Sequence, residues 1–396
     1  MIFTKSGKVL TGYKFILAGQ QLDITDCYQY LGVKIRPSGS FSFAADELCA
    51  KARRAWFGIS NIVYKDKRMP VKRAFQLFDS LVTPVALYGC ELWFPLNLPQ
   101  KSLKTKPNLM ASWKSFKCET INQQCCRILL SVHKKASRLA VLGDLGRYPL
   151  ALRAMSQCLN YRLCLDSKPA SSLIGLAMSE SKELSRQGVD CWQSRVDQMS
   201  EVLNLPAMRY SKSSGRRLTA CLQSKFDRHW LDTIQETRTG PDSVEHNKLL
   251  CYSSFKCHFR PEPYIDLVRN RNQRCHLSRL RVSAHHLGVE VQRYHRPPVP
   301  RSERYCVYCP LGTPETRPVD DEQHCLTECV VGQTERPSVY SSIDSTYTGF
   351  AALSNEDKFK FLVCPSNAVD CKIVSRFLQK QFDQRDKIDR GEITTP

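Results

Sequence analysis

The stretch Leu48-Cys49-Ala50-Lys51-Ala52-Arg53-Arg54-Ala55-Trp56-Phe57-Gly58-Ile59-Ser60-Asn61-Ile62 decides the fold class. Leu48, Ala52, Ala55, Ile59 and Ile62 recur at the three-and-four spacing of a single helix face. Lys51, Arg53 and Arg54 lie between them, and Ser42 is available as a cap, so a helix is predicted here. Upstream the pattern changes. Phe15-Ile16-Leu17 and Leu22-Asp23-Ile24 flank Gly19, which predicts a hairpin. Residues 28–35, with Tyr30-Leu31-Gly32-Val33, predict one further strand, ended by Pro37-Ser38-Gly39. Downstream, helices are predicted from Pro70 to just before Pro84, over 120–132 and over 151–165. Leu87-Tyr88-Gly89-Cys90-Glu91-Leu92-Trp93 reads as a buried apolar segment. Pro95, Pro99 and Pro107 with Lys101, Lys104 and Lys106 predict a basic loop. Residues 205–217 and 295–304 read as linkers, and 332–349 as polar and turn-rich. The expected fold is mainly α, with a small β portion at the N-terminus and a small zinc knuckle near the C-terminus.

Composition narrows the function. The chain has 396 residues, 42% of them hydrophobic, enough to bury a core. Its formal net charge of +20 favours a polyanionic partner, RNA or DNA before an anionic membrane surface. The 19 cysteines occur in a long chain with no apolar signal segment after Met1, which argues against a secreted disulfide scaffold. No apolar run is long enough for a membrane span. These features predict an intracellular protein with reduced thiols.

Some cysteines stand at metal-ligand spacing. Cys306-Val307-Tyr308-Cys309 is a Cys-x2-Cys pair, followed by His324 and then Cys329. Three thiolates and an imidazole complete a closed tetrahedron, the structural Zn2+ arrangement with no open position for water. Cys325 adjoins His324 but points elsewhere in regular geometry, and the wider spacing of Cys364 and Cys371 suits core packing.

Just before this set, residues 269–304 hold nine Arg, no Lys and only Glu290 and Glu303 as acids. Leu277, Leu280, Ala284 and Leu287 share one helical face, while Arg271, Arg274, Ser278, Arg281 and His285 form a separate stripe. With Arg279, these residues are expected to face phosphates, which the planar guanidinium grips bidentately.

No catalytic pattern accompanies these features. The only Asp-Asp pair, Asp320-Asp321, lies inside the zinc loop, and there is no Gly-rich phosphate loop. No small-molecule substrate is evident.

Read in order, Met1-Ile2-Phe3 with Lys5, Tyr30-Leu31-Gly32-Val33, the segment 87–93, the segment 142–150, Leu280-Arg281-Val282-Ser283-Ala284-His285 and Cys306/Cys309/His324/Cys329 resemble the C-terminal half of a LINE-type (non-LTR) retrotransposon reverse transcriptase. The resemblance implies an end-of-palm segment over 1–40, with Tyr30, Leu31 and Gly32 near a primer grip. It implies thumb-like helices over 41–95, where Lys51, Arg53 and Arg54 would follow the template–primer backbone. A helical connecting region (96–217), a basic nucleic-acid-binding region (218–304), the zinc knuckle (305–331) and a polar linker with a C-terminal helix (332–396) complete it. The family is an RNA-directed DNA polymerase using Mg2+ at an aspartate box upstream of the matching segment. This chain, starting after that box, is expected to bind nucleic acid in the nucleus or cytoplasm without polymerising on its own. The rival expectations are a fragment of a functional polymerase, whose fingers and palm lie upstream, and a domesticated zinc-knuckle interaction module.

Overall fold

A computed structural model describes residues 12, 14–239, 247–309 and 317–395. The described residues are mainly helical, and their only strands form two short antiparallel hairpins. β1 (Phe15–Leu17) pairs with β2 (Gln20–Leu22) across Ala18 and Gly19, both at positive φ. β3 (Tyr28–Tyr30) pairs with β4 (Val33–Ile35) across Leu31 (φ 46°) and Gly32 (φ 83°). The single strand expected over 28–35 is therefore a hairpin. Two consecutive left-handed residues reverse the chain where an extended run was read. Gly32 suits the second position, and the Tyr88 hydroxyl donates to Leu31 O at 2.8 Å.

The decisive stretch is a helix, Ser42–Lys65, with Leu48, Ala52, Trp56 and Val63 buried. Ser42 opens it as its first residue, with its hydroxyl 3.1 Å from Ser40 Oγ. Helices Val71–Leu81, Glu119–Leu130 and Leu150–Asp166 follow, close to the expected limits. Residues 332–349 depart from the expectation, because Arg336–Asp344 is a helix. Pro337 is tolerated in its first turn, and Val339 and Ile343 share a buried face.

The chain forms two compact units, each assembled from three segments. The first takes Met1–Ile59, Leu77–Asn122 and Tyr148–Phe226. Its core sets helix Cys90–Asn97 against Leu150–Asp166 and Trp192–Val202, around Trp93, Phe94 and Phe116. Two charged side chains satisfy helix ends here. Glu119 is buried and accepts from Leu150 N at 2.7 Å, where Pro149 has no side-chain cap to offer. Arg195, held by Asp190, donates to the carbonyls of Leu96 (3.1 Å) and Leu98 (2.8 Å) at the end of helix Cys90–Asn97.

The second unit takes Ser60–Gln76, Gln123–Arg147 and Asp227–Pro396. Trp230 lies on Gly143, where any side chain would run into its ring. Helix Arg271–Arg281 packs against the long C-terminal helix Ala368–Asp389, with His276 stacked on Phe382 at 5.5 Å.

Candidate metal centre

The site forms where the arginine- and proline-rich segment meets a short helix of the second unit. Arg304, fully buried, donates to Val299 O (2.8 Å) and Val289 O (2.9 Å) and fixes the entry. Cys306 N donates to Pro318 O at 2.9 Å and Asp320 N donates to Arg304 O at 2.8 Å. These two bonds clamp the base of the loop that carries Cys306 and Cys309. Asp321 then caps helix Glu322–Thr327, its carboxylate accepting from His324 N at 2.9 Å. That cap fixes the backbone of the third ligand. Cys329 follows the helix end, with its N–H on His324 O at 2.9 Å.

The ligand atoms of Cys306, Cys309, His324 and Cys329 all lie within 4.8 Å of one another. Cys306 and Cys329 Sγ are 3.9 Å apart, and Cys309 Sγ is 3.3 Å from His324 Nε2. A tetrahedron with metal–sulfur bonds of about 2.3 Å and metal–nitrogen bonds of about 2.0 Å has edges of roughly 3.8 and 3.5 Å. The cluster fits a metal ion bound through Nε2. His324 Nδ1 turns toward Glu328 Oε2 at 3.5 Å, the outer arrangement expected for a ligating imidazole. The hydrogen bond from Cys306, helped by His324 and Arg385, lowers the Cys329 thiol from its ordinary range. Cys325 is fully buried and lies outside the set, and Cys371 bonds Pro365 O within the core. The Asp-Asp pair is also accounted for: Asp320 binds Arg385 at 2.9 Å, and Asp321 is the helix cap.

The arginine stripe requires a correction. Its helix ends at Arg281, Ser283 turns left-handed (φ 52°), and the side chains expected to meet phosphates point inward. Arg271 is 3% exposed and donates to Val63 O (3.0 Å) and Tyr64 O near the end of helix Ser42–Lys65. Arg274, 1% exposed, serves Val268 O, Arg269 O and Leu129 O. Arg279 is half-buried and donates to Ser131 O at 3.0 Å. Arg281 is enclosed by Asp144 and Glu262. His285 Nε2 lies 3.0 Å from Glu322 Oε1. Burial pushes Glu322 up, but the His285 hydrogen bond, the charges of His285 and Arg301 and a backbone hydrogen bond together outweigh it and bring the group to about 2. Guanidinium groups have five donors and no acceptor, so exposed carbonyls at helix ends satisfy them as well as phosphates do.

Of the other predicted residues, Arg53 and Arg54 are exposed, while Lys51 is half-buried and 3.7 Å from Glu47. Tyr30 and Leu31 are exposed and Gly32 half-buried at the hairpin turn. Sequence reasoning missed three features. Asp144 was legible as a lone carboxylate inside Val141-Leu142-Gly143-Asp144-Leu145. Arg385, which reaches Cys329 Sγ at 3.1 Å, has no local signal. The third is a basic turn over 65–73, where Lys65, Arg68, Lys72 and Arg73 are exposed and Lys67 sits over the Tyr64 ring at 4.1 Å. Asp66 is the one acid of that turn, and its carboxylate accepts from Arg68 N. Among the described residues no helix is long and apolar enough to cross a membrane. Compared with known protein families, curated proteins and solved structures, the chain matches none.

Proposed function

We propose that this chain is a nucleic-acid-binding portion of a non-LTR retrotransposon reverse transcriptase, whose second unit is locked by a structural Zn2+ at Cys306, Cys309, His324 and Cys329. The metal would supply folding energy there and no chemical step, because all four positions are filled by protein. The one Asp-Asp pair is engaged by Arg385 and by a helix N-terminus, so no catalytic role is assigned to it. RNA and DNA both fit as partners, in the nucleus or the cytoplasm.

The observation that carries the binding reading is the exposed, nearly single-signed turn over 65–73. Its backbone is held from beneath, because Arg271 N donates to Lys67 O at 2.8 Å while its guanidinium takes the carbonyls of Val63 and Tyr64. Buried Arg271 thus helps hold the backbone that carries these exposed cations. Arg53 and Arg54 add exposed charge in the first unit. Cations of this kind grip the phosphate backbone and carry little sequence choice.

Filter binding to single-stranded RNA and duplex DNA, between about 50 and 200 mM salt, tests this. Changing Lys67, Arg68, Lys72 and Arg73 together to Gln is expected to weaken binding and flatten the salt dependence. The log–log slope should fall by about 0.7–0.9 for each phosphate that is no longer neutralised. No binding by the parent chain at low salt, or an unaltered slope in the variant, would reject the assignment.

A further inference from the structure

The metal ligands are joined to a residue 56 positions beyond the last of them. Gln381, Arg385, Ile388 and Asp389 share one face of helix Ala368–Asp389 and all meet the site. Gln381 Nε2 donates to Cys325 O at 2.5 Å, Ile388 packs on the apolar rim made by Cys306, Cys329 and Val331, and Asp389 accepts from the Tyr308 hydroxyl at 2.8 Å. Arg385, 4% exposed, divides its guanidinium between the Asp320 carboxylate and the Cys329 sulfur. Nη1 donates to Asp320 Oδ1 at 2.9 Å, Nη2 donates to Cys329 Sγ at 3.1 Å, and the plane lies 4.8 Å from the Tyr308 ring centre.

We propose that Arg385 is the outer-shell positioning residue of the metal centre, holding Cys329 in the ligand set through an N–H···S bond and making the C-terminal helix part of the site. The inference rests on the zinc reading above. A divalent ion with three thiolates and a neutral imidazole leaves one negative charge in a buried place. Asp320 adds another. Arg385 and Arg336, which donates to Cys329 O at 2.6 Å, supply the two positive charges that balance them. The planar fork suits the task, because one guanidinium spans a carboxylate and a sulfur at fixed separation, which an ammonium cannot do. Cys329 is therefore gripped at both its carbonyl and its sulfur. Cys309 is half-buried, and its side chain meets His324 at 3.3 Å. The ligands should differ in reactivity, with Cys309 the first to be attacked and Cys329 the last.

Zinc affinity of the full chain, measured by chelator competition, tests the assignment together with mass-spectrometric mapping of thiol alkylation. Arg385→Gln is expected to weaken zinc binding about 10–100-fold and to bring Cys329 alkylation forward. The double variant Arg385→Gln with Asp320→Asn leaves no unpaired carboxylate and should stay weak, because the defect lies at the sulfur. Recovery of parent affinity in the double variant would show that Arg385 serves Asp320 alone and would overturn the proposal. So would parent affinity and an unaltered alkylation order in Arg385→Gln. If that variant does not fold, Arg385→Lys decides, with a several-fold loss expected and parent-like affinity counting against the proposal. A parent chain that takes up no zinc defeats the metal reading and this inference together. Normal uptake by the parent with an indifferent Arg385→Gln defeats only the inference.

Discussion

Asp144→Ala is expected to destabilise the second unit by about 3–5 kcal/mol, the usual cost of removing one partner from a buried ion pair. Both side chains are fully enclosed, and Arg281 meets Asp144 through two parallel bonds, Nε to Oδ2 and Nη2 to Oδ1, each 2.9 Å. Tyr264 donates its hydroxyl to the same carboxylate at 2.8 Å, and the Tyr252 hydroxyl lies 3.1 Å from it. Burial alone would push Asp144 up, but Arg281 outweighs it and holds the carboxyl below its ordinary range. Glu262 adds a second anion 3.0 Å from Arg281, and Lys256 pairs with Glu262 in turn. Removing Asp144 strips Arg281 of its bidentate partner and takes from the buried Tyr264 hydroxyl the carboxylate it donates to, while Tyr252 keeps the Ala140 carbonyl at 3.3 Å. Asp144→Leu combined with Arg281→Met should recover part of the loss, since apolar replacement of both partners removes the cost of an unpaired buried guanidinium while the Tyr264 hydroxyl and the Val363 carbonyl stay unpartnered by them. Urea unfolding of the full chain, with hydrogen exchange across 250–281, reads both outcomes. An Asp144→Ala chain within about 0.5 kcal/mol of the parent, the range of a surface change, would remove the network from the account.

Replacing Cys306 and Cys309 together by Ser, or stripping the metal with a chelator, is expected to have a still larger local effect. Zinc binding contributes about 10–16 kcal/mol in small zinc-finger peptides, and whole domains are stable by only about 5–15 kcal/mol. The knuckle itself has a small apolar cluster, Cys306, Cys329 and Val331, joined by the partly buried Tyr308, Cys309, Val330 and Ile388. That is too little to close the loop without an ion. Amide exchange should rise by orders of magnitude over 318–331 and over 381–389, because the C-terminal helix meets the site along one face. The first unit should be unaffected. Exchange that is indifferent to the chelator would mean the cluster is held by packing alone.

Several helices were legible because their signals are local, while Leu173–Arg186, Trp192–Val202 and Ser214–Thr239 were not located. Apolar spacing located Ser42–Lys65, and proline punctuation bracketed Val71–Leu81. The four residues of the candidate metal cluster were legible for a similar reason, since each pair is close in sequence and lies on a turn or a short capped helix. Periodicity failed on direction. It identified Arg271, Arg274 and Arg281 as one face, but not that this face points inward, because the acceptors are Val63, Tyr64, Leu129 and Asp144, far away in sequence. Arg385 was hidden for the same reason. The hairpin over 28–35 was missed because a left-handed Leu31 is uncommon and leaves no compositional trace.

Zinc content by native mass spectrometry, on the full chain and on the Cys306→Ser, Cys309→Ser variant, decides whether this cluster holds a metal. About one zinc ion per parent chain is expected, bound tightly enough to survive desalting, and none in the variant. A parent chain that carries no metal, or a variant that keeps its ion, would contradict the metal assignment.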